Sequence, residues 1–142
     1  MTDASRASTE GTLALTLTVS REPAFLGAAE ALIARVGEQA GCAPEDARRL
    51  GQAVRRALGG LIARSGSEPE GDQFDVAFTA TSRVARVDVS SPGAPADGQP
   101  SLQDALSASG DVAAMGRLVD RVEFGREGDR EYCRLTQQVR AR

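Results

Sequence analysis

The side chains that could do chemistry in this sequence are defined as much by absences as by what is there. All 17 basic residues are Arg, and neither Lys nor His occurs. A Schiff-base amine, a Ser–His or Cys–His nucleophile pair and a histidine metal ligand are therefore excluded. Cys42 and Cys133 lack the C-x-x-C spacing of a redox or zinc motif. With no Lys or His to activate them, they are expected to be buried, inert thiols. The glycine spacing of a phosphate-binding loop occurs at Gly93 to Gly98, but Gln99 stands where that loop needs its Lys. The stretch reads as a surface loop.

Composition narrows the choice further. The net charge of −3 speaks against nucleic acid, which usually selects a basic domain. A 142-residue chain that is 41% apolar and 26% charged reads as one globular domain with a two-layer core. No apolar run is long enough to cross a membrane and no signal peptide is recognisable, so a cytoplasmic protein with reduced thiols is expected.

The elements that must position any site follow from periodicity. Between Ala47 and Arg64, Leu50, Ala53, Val54, Ala57, Leu58, Leu61 and Ile62 form one stripe of a 3.6-residue helix. Arg48, Arg49, Gln52, Arg55 and Arg56 occupy its other side, most simply as a solvated face. Pro44, Glu45 and Asp46 suit its first turn. A second helix is expected from about Pro23 to Ala40, with Leu26, Ala29, Leu32, Ile33 and Val36 on one face and Gly41 as its stop.

Strict alternation predicts strands at Thr12 to Ser20, Gln73 to Ala80 and Arg83 to Ser90, the last two joined by a tight turn at Thr81-Ser82. A short helix near Ser101 to Ser107, another from Asp111 to Asp120, and strands from Arg121 to Arg126 and from Arg130 to Val139 complete the order. Residues 1–11 read as a disordered tail, and residues 12–142 as the single domain. The fold class is α/β (α+β): a two-layer sandwich with a mixed, mostly antiparallel sheet and helices on one face.

From Leu13 to Val139 the chain resembles the GHKL ATPase fold, and more narrowly the small bacterial anti-sigma-factor serine kinases of partner-switching systems. The cues are Ser20-Arg21-Glu22-Pro23-Ala24-Phe25-Leu26, Gly41-Cys42-Ala43-Pro44-Glu45-Asp46, Gln52-Ala53-Val54, Val87-Asp88-Val89, and the run from Met115 to Phe124. Their order and spacing carry the resemblance. In that family a Glu on the long helix orients the attacking group, and an Asn four residues later binds the Mg²⁺ of ATP. The corresponding positions here are Arg56 and Gly60, roughly 40° apart on the helix. Arg56 reverses the charge and Gly60 offers no ligand. Arg56 either extends to solvent or serves a repurposed anion site, the former being simpler. Gly59 and Gly60 are expected to allow close packing.

The family's Asp-x-Gly box, which holds adenine, is replaced by Ser91-Pro92-Gly93. Its glycine-rich phosphate turn is reduced to Ser109-Gly110-Asp111, with a carboxylate where phosphate would sit. The resemblance thus implies a scaffold with a degenerate ATP site, in which Gly93 and Gly110 would contact nucleotide only if binding is retained. No catalytic or metal residue is assigned, and no cofactor is expected; Mg-ATP is the alternative.

The function implied is protein–protein binding of a sigma factor or an anti-anti-sigma domain, acting on transcription as a pseudokinase. A homodimer is a further expectation of the family. One alternative is a divergent serine/threonine-protein kinase whose metal ligands come from Glu45, Asp46 or Gln52. Another is an oligomerisation subunit of an intact paralogue.

Overall fold

The structure is a computed structural model that describes residues 13–20, 22–65, 73–90, 101–128 and 130–139. The tail expected for residues 1–11, and with it Ser91, Gly93 and the Gly98-Gln99 string, lies outside the described residues.

In chain order the elements are β1 (Leu13–Ser20), α1 (Pro23–Gln39), α2 (Pro44–Ser65), β2 (Gln73–Ala80), β3 (Val84–Ser90), α3 (Leu102–Ala108), α4 (Asp111–Leu118), β4 (Arg121–Glu127) and β5 (Arg130–Gln138). The five strands form one sheet in the order β1-β2-β3-β5-β4, and every pairing is antiparallel. The parallel component allowed by a mixed sheet is absent among the described residues.

Alternation decides which face of the sheet is covered. Phe74, Val76, Phe78 and Ala80 on β2, Ala85, Val87 and Val89 on β3, and Cys133 and Leu135 on β5 are all buried. Against them lies the stripe of α2, where Leu50, Ala53, Val54, Ala57, Leu58 and Leu61 are buried as the periodicity requires. The outer face of the sheet is polar and carries ion pairs between strands. Arg134 holds Asp88 through two bonds of 2.8 and 3.1 Å. Arg130 donates to Asp75 at 2.7 Å and to Ser90 Oγ at 3.3 Å.

The helix ends follow local chemistry. Pro23 opens α1, and the N–H of Glu22, its N-cap, is bonded to Ser20 Oγ at 3.3 Å. At the far end Gly41 takes φ +111, the Cys42 N–H donates to the Gly37 carbonyl at 2.9 Å, and the Gly41 N–H donates to that of Glu38 at 3.0 Å. This is a Schellman stop, and it turns the chain tightly from α1 into α2. The two helices then pack at very close range. A Cβ at Gly51 would sit 2.5 Å from the Glu30 carbonyl oxygen, so only glycine permits this approach.

The face of α1 is narrower than the sequence suggested. Ala29 and Ile33 are buried, whereas Leu32 is 38% exposed. The reason is position: α1 lies over β1, the edge strand among the described residues, where none of the other described strands extends beneath it. The β2–β3 turn is also longer than two residues. It spans Thr81 to Arg83, and the Thr81 hydroxyl accepts the N–H groups of Arg83 and Val84, each at 3.2 Å.

Candidate functional site

The long α2 helix forms the floor of an open groove of about 670 Å³, with α1 on one side and α4 on the other. Gln52, Arg55, Arg56 and Gly59 line the floor, Leu26 and Glu30 come from α1, and Asp111, Ala114, Arg117 and Leu118 come from α4. Arg56, at the position the resemblance assigns to a catalytic carboxylate, is therefore in the groove. Gly60 lies one residue beyond its rim.

The arginine face of α2 is a set of ion pairs. Glu45 accepts from Arg49 at 2.9 Å and lies 4.0 Å from Arg48. Arg55 reaches back to Glu30 of α1 at 3.0 Å. Arg56 crosses to α4 and donates to Asp111 Oδ1 at 3.0 Å. Half of the Arg56 side chain is exposed, as one reaching toward solvent would be, and its guanidinium is in addition held by Asp111.

The other oxygen of Asp111 accepts the Ser109 hydroxyl at 2.6 Å. Asp111 also opens α4, where the helix dipole favours a carboxylate. Sequence reading treated position 56 and position 111 as separate departures from the family pattern. In space they are one interaction.

Gly110 has φ +86, a conformation that suits glycine alone, and its N–H is already donated to the Ser107 carbonyl at 3.1 Å. It shapes the turn between α3 and α4.

Gly60 is covered by a leucine. A Cβ added there would overlap the Cδ2 methyl of Leu106, which is fully buried. Gly59 has nothing within 4 Å of the same construction. Close packing is thus a property of Gly60 alone, which corrects the expectation for the pair.

Leu106 is fixed in place by the way α3 is anchored. Ser101 caps the helix, accepting the Asp104 N–H at 3.1 Å, and Leu102 is buried alongside Leu106. From β5, the buried carboxylate of Glu131 accepts the Leu102 N–H at 3.3 Å and lies 3.5 Å from the Arg126 guanidinium. Sequence reading missed Glu131. A lone carboxylate in an alternating strand carries no sign that its partner is a helix start 29 residues earlier.

Each carboxylate lining the groove, Glu30 and Asp111, already faces an arginine. Among the described residues no group of three or more His, Cys, Asp or Glu comes together. Of the alternative ligands considered from the sequence, Gln52 is in the groove. Glu45 and Asp46 sit in the first turn of α2, about ten residues and roughly 15 Å from Arg56 along the helix. Both thiols are buried: burial, with Asp88 adding to it, pushes Cys133 up to about 12, and burial with Asp46 raises Cys42.

No protein-family model matches this chain, and no curated protein does. Its fold is similar to that in the crystal structure of the RsbU and RsbW domains of Rv1364c from Mycobacterium tuberculosis, with a TM-score of 0.66 and 15% identity over 90% of this chain. The match spans 33% of that chain's length. At this identity the likeness is one of fold alone.

Proposed function

We propose that this chain is a regulatory binding protein of partner-switching type, which holds a sigma factor or an anti-anti-sigma domain without using Mg-ATP. In this reading the protein works in the cytoplasm and transfers no phosphate. The observation that carries the proposal is that both carboxylates of the groove are engaged by arginines from α2. A magnesium ion entering beside Arg56 would have to displace a guanidinium from Asp111, and a general base at this position would have the wrong charge. The cover that Leu106 provides over Gly60 supports the same conclusion, because a side chain there has no room in which to become a ligand.

Support for the regulatory half comes from the fold likeness to a protein carrying RsbU and RsbW domains. Among the described residues no helix is long and apolar enough to cross a membrane, which agrees with a role as a binding partner in solution. What remains for recognition is the groove, with Arg117 on its wall and Leu26 and Leu118 beside it.

The test is to purify the sigma factors and anti-anti-sigma domains of the source organism and titrate each with this protein, with and without Mg-ATP. The expected result is binding to one of them with an affinity indifferent to nucleotide and no phosphoserine in the bound domain by mass spectrometry. Phosphate transferred to a serine of that domain would overturn the reading in favour of an active kinase.

A further inference from the structure

The groove on α2 keeps a charge of its own after its internal pairs are counted. Three arginines line it, Arg55, Arg56 and Arg117, against two carboxylates, Glu30 and Asp111, so one positive charge is left over. The two pairs also turn their basic ends outward. Arg55 and Arg56 are 55% and 51% exposed, whereas Glu30 and Asp111 are 25% and 18% exposed. Each of these guanidinium groups bonds its carboxylate through one terminal nitrogen, which leaves further N–H donors on both. Arg117, exposed in the last turn of α4, has no carboxylate partner among the described residues. Next to these charges the groove has an apolar part, where Leu26 and Leu118 are only partly buried.

We propose that the α2 groove takes a short extended segment of a partner protein, with a carboxylate that pairs with Arg117 and an apolar side chain that packs on Leu26 and Leu118. The inference rests on the reading that Mg-ATP does not occupy this groove, and it names the chemistry of the protein partner there. The charge balance selects the occupant. A polyphosphate or a nucleic-acid backbone brings several negative charges to a groove that has one to neutralise, beside two carboxylates and in a chain of net charge −3. A wholly apolar segment would cover Arg117 and leave its charge unpaired. A single Asp or Glu meets both conditions.

Size sets the length of the contact. The floor from Gln52 to Gly59 rises about 10 Å along the helix, the span of about three residues of extended chain. So short a segment binds modestly by itself and adds to contacts made elsewhere on the partner.

Sorting a surface-displayed library of random heptapeptides on the wild-type protein tests the proposal. Enriched peptides are expected to carry Asp or Glu beside an apolar residue and to bind Arg117→Glu about tenfold more weakly than wild type. Enrichment of peptides without an acidic residue would overturn the proposal, as would equal binding to the folded Arg117→Glu variant. Far-UV circular dichroism checks that fold; should it be lost, Arg117→Gln, which removes the charge without reversing it, decides by the same comparison. Mg-ATP titrated into the wild-type protein separates this inference from the reading beneath it. If no peptide is enriched and no Mg-ATP binds, the acidic-segment proposal falls and the nucleotide-free reading stands. Micromolar binding of Mg-ATP would overturn both.

Discussion

Arg56 and Asp111 show how one interaction is divided between distant parts of a sequence. Fifty-five residues separate them, and each alone reads as a defect in a nucleotide site. Together they make an ion pair whose acid end is largely shielded and whose basic end is half exposed. Solvent screening at the arginine limits its strength, so a double-mutant cycle of Arg56→Ala and Asp111→Ala should return a coupling of about 0.5–1 kcal/mol in urea unfolding. A coupling of zero would mean that the two groups do not meet in solution. The cysteines belong to the same scale. Between about 8.5, the ordinary thiol value, and about 12, the unfolded chain has released a proton that folded Cys133 still holds. The folded state therefore loses stability as pH rises through this window, by up to about 1.4 kcal/mol per pH unit for the one thiol. Replacing Cys133 with Ala should flatten the alkaline limb of the stability curve relative to wild type. The same burial should leave both thiols unlabelled by an aromatic disulfide reagent until the chain is denatured.

Adjacent glycines on α2 set two energies against each other at the level of the element. Replacing a helical glycine with alanine gains about 1 kcal/mol of propensity, and at Gly59, where the added methyl meets nothing, that gain should appear in full. At Gly60 the same methyl overlaps buried Leu106, and overpacking of this kind costs about 1–3 kcal/mol. Chemical unfolding should find Gly59→Ala more stable than wild type and Gly60→Ala less stable. Equal effects at the two sites would show that α3 does not press on α2 in solution. The elements themselves were legible because each has a period: the stripe on α2, the alternation of β2 and β3, and the proline and glycine that bracket α1. What the sequence hid was which elements touch. The seating of Leu106 on Gly60 and the hold of Glu131 on the start of α3 depend on tertiary placement, and no local pattern announces either one. The exposure of Leu32 was concealed for a related reason, since helical spacing says which face is apolar but not how far the sheet beneath it extends.

At the scale of the whole molecule, the sheet and its helical layer could be derived from burial patterns, and the fold likeness to the RsbU and RsbW domain protein agrees with that derivation. The groove could not be derived in the same way, because its walls come from three helices contributed by different thirds of the chain. Its chemistry is set by pairing: Glu30 and Asp111 hold α1 and α4 against the arginines of α2. In the proposed reading this pairing makes the groove part of the scaffold and not a magnesium site, and it is the centre of the functional proposal. Isothermal titration of the wild-type protein with Mg-ATP tests it most directly. The account expects no saturable heat up to millimolar nucleotide; a magnesium-dependent isotherm with a micromolar dissociation constant would contradict it.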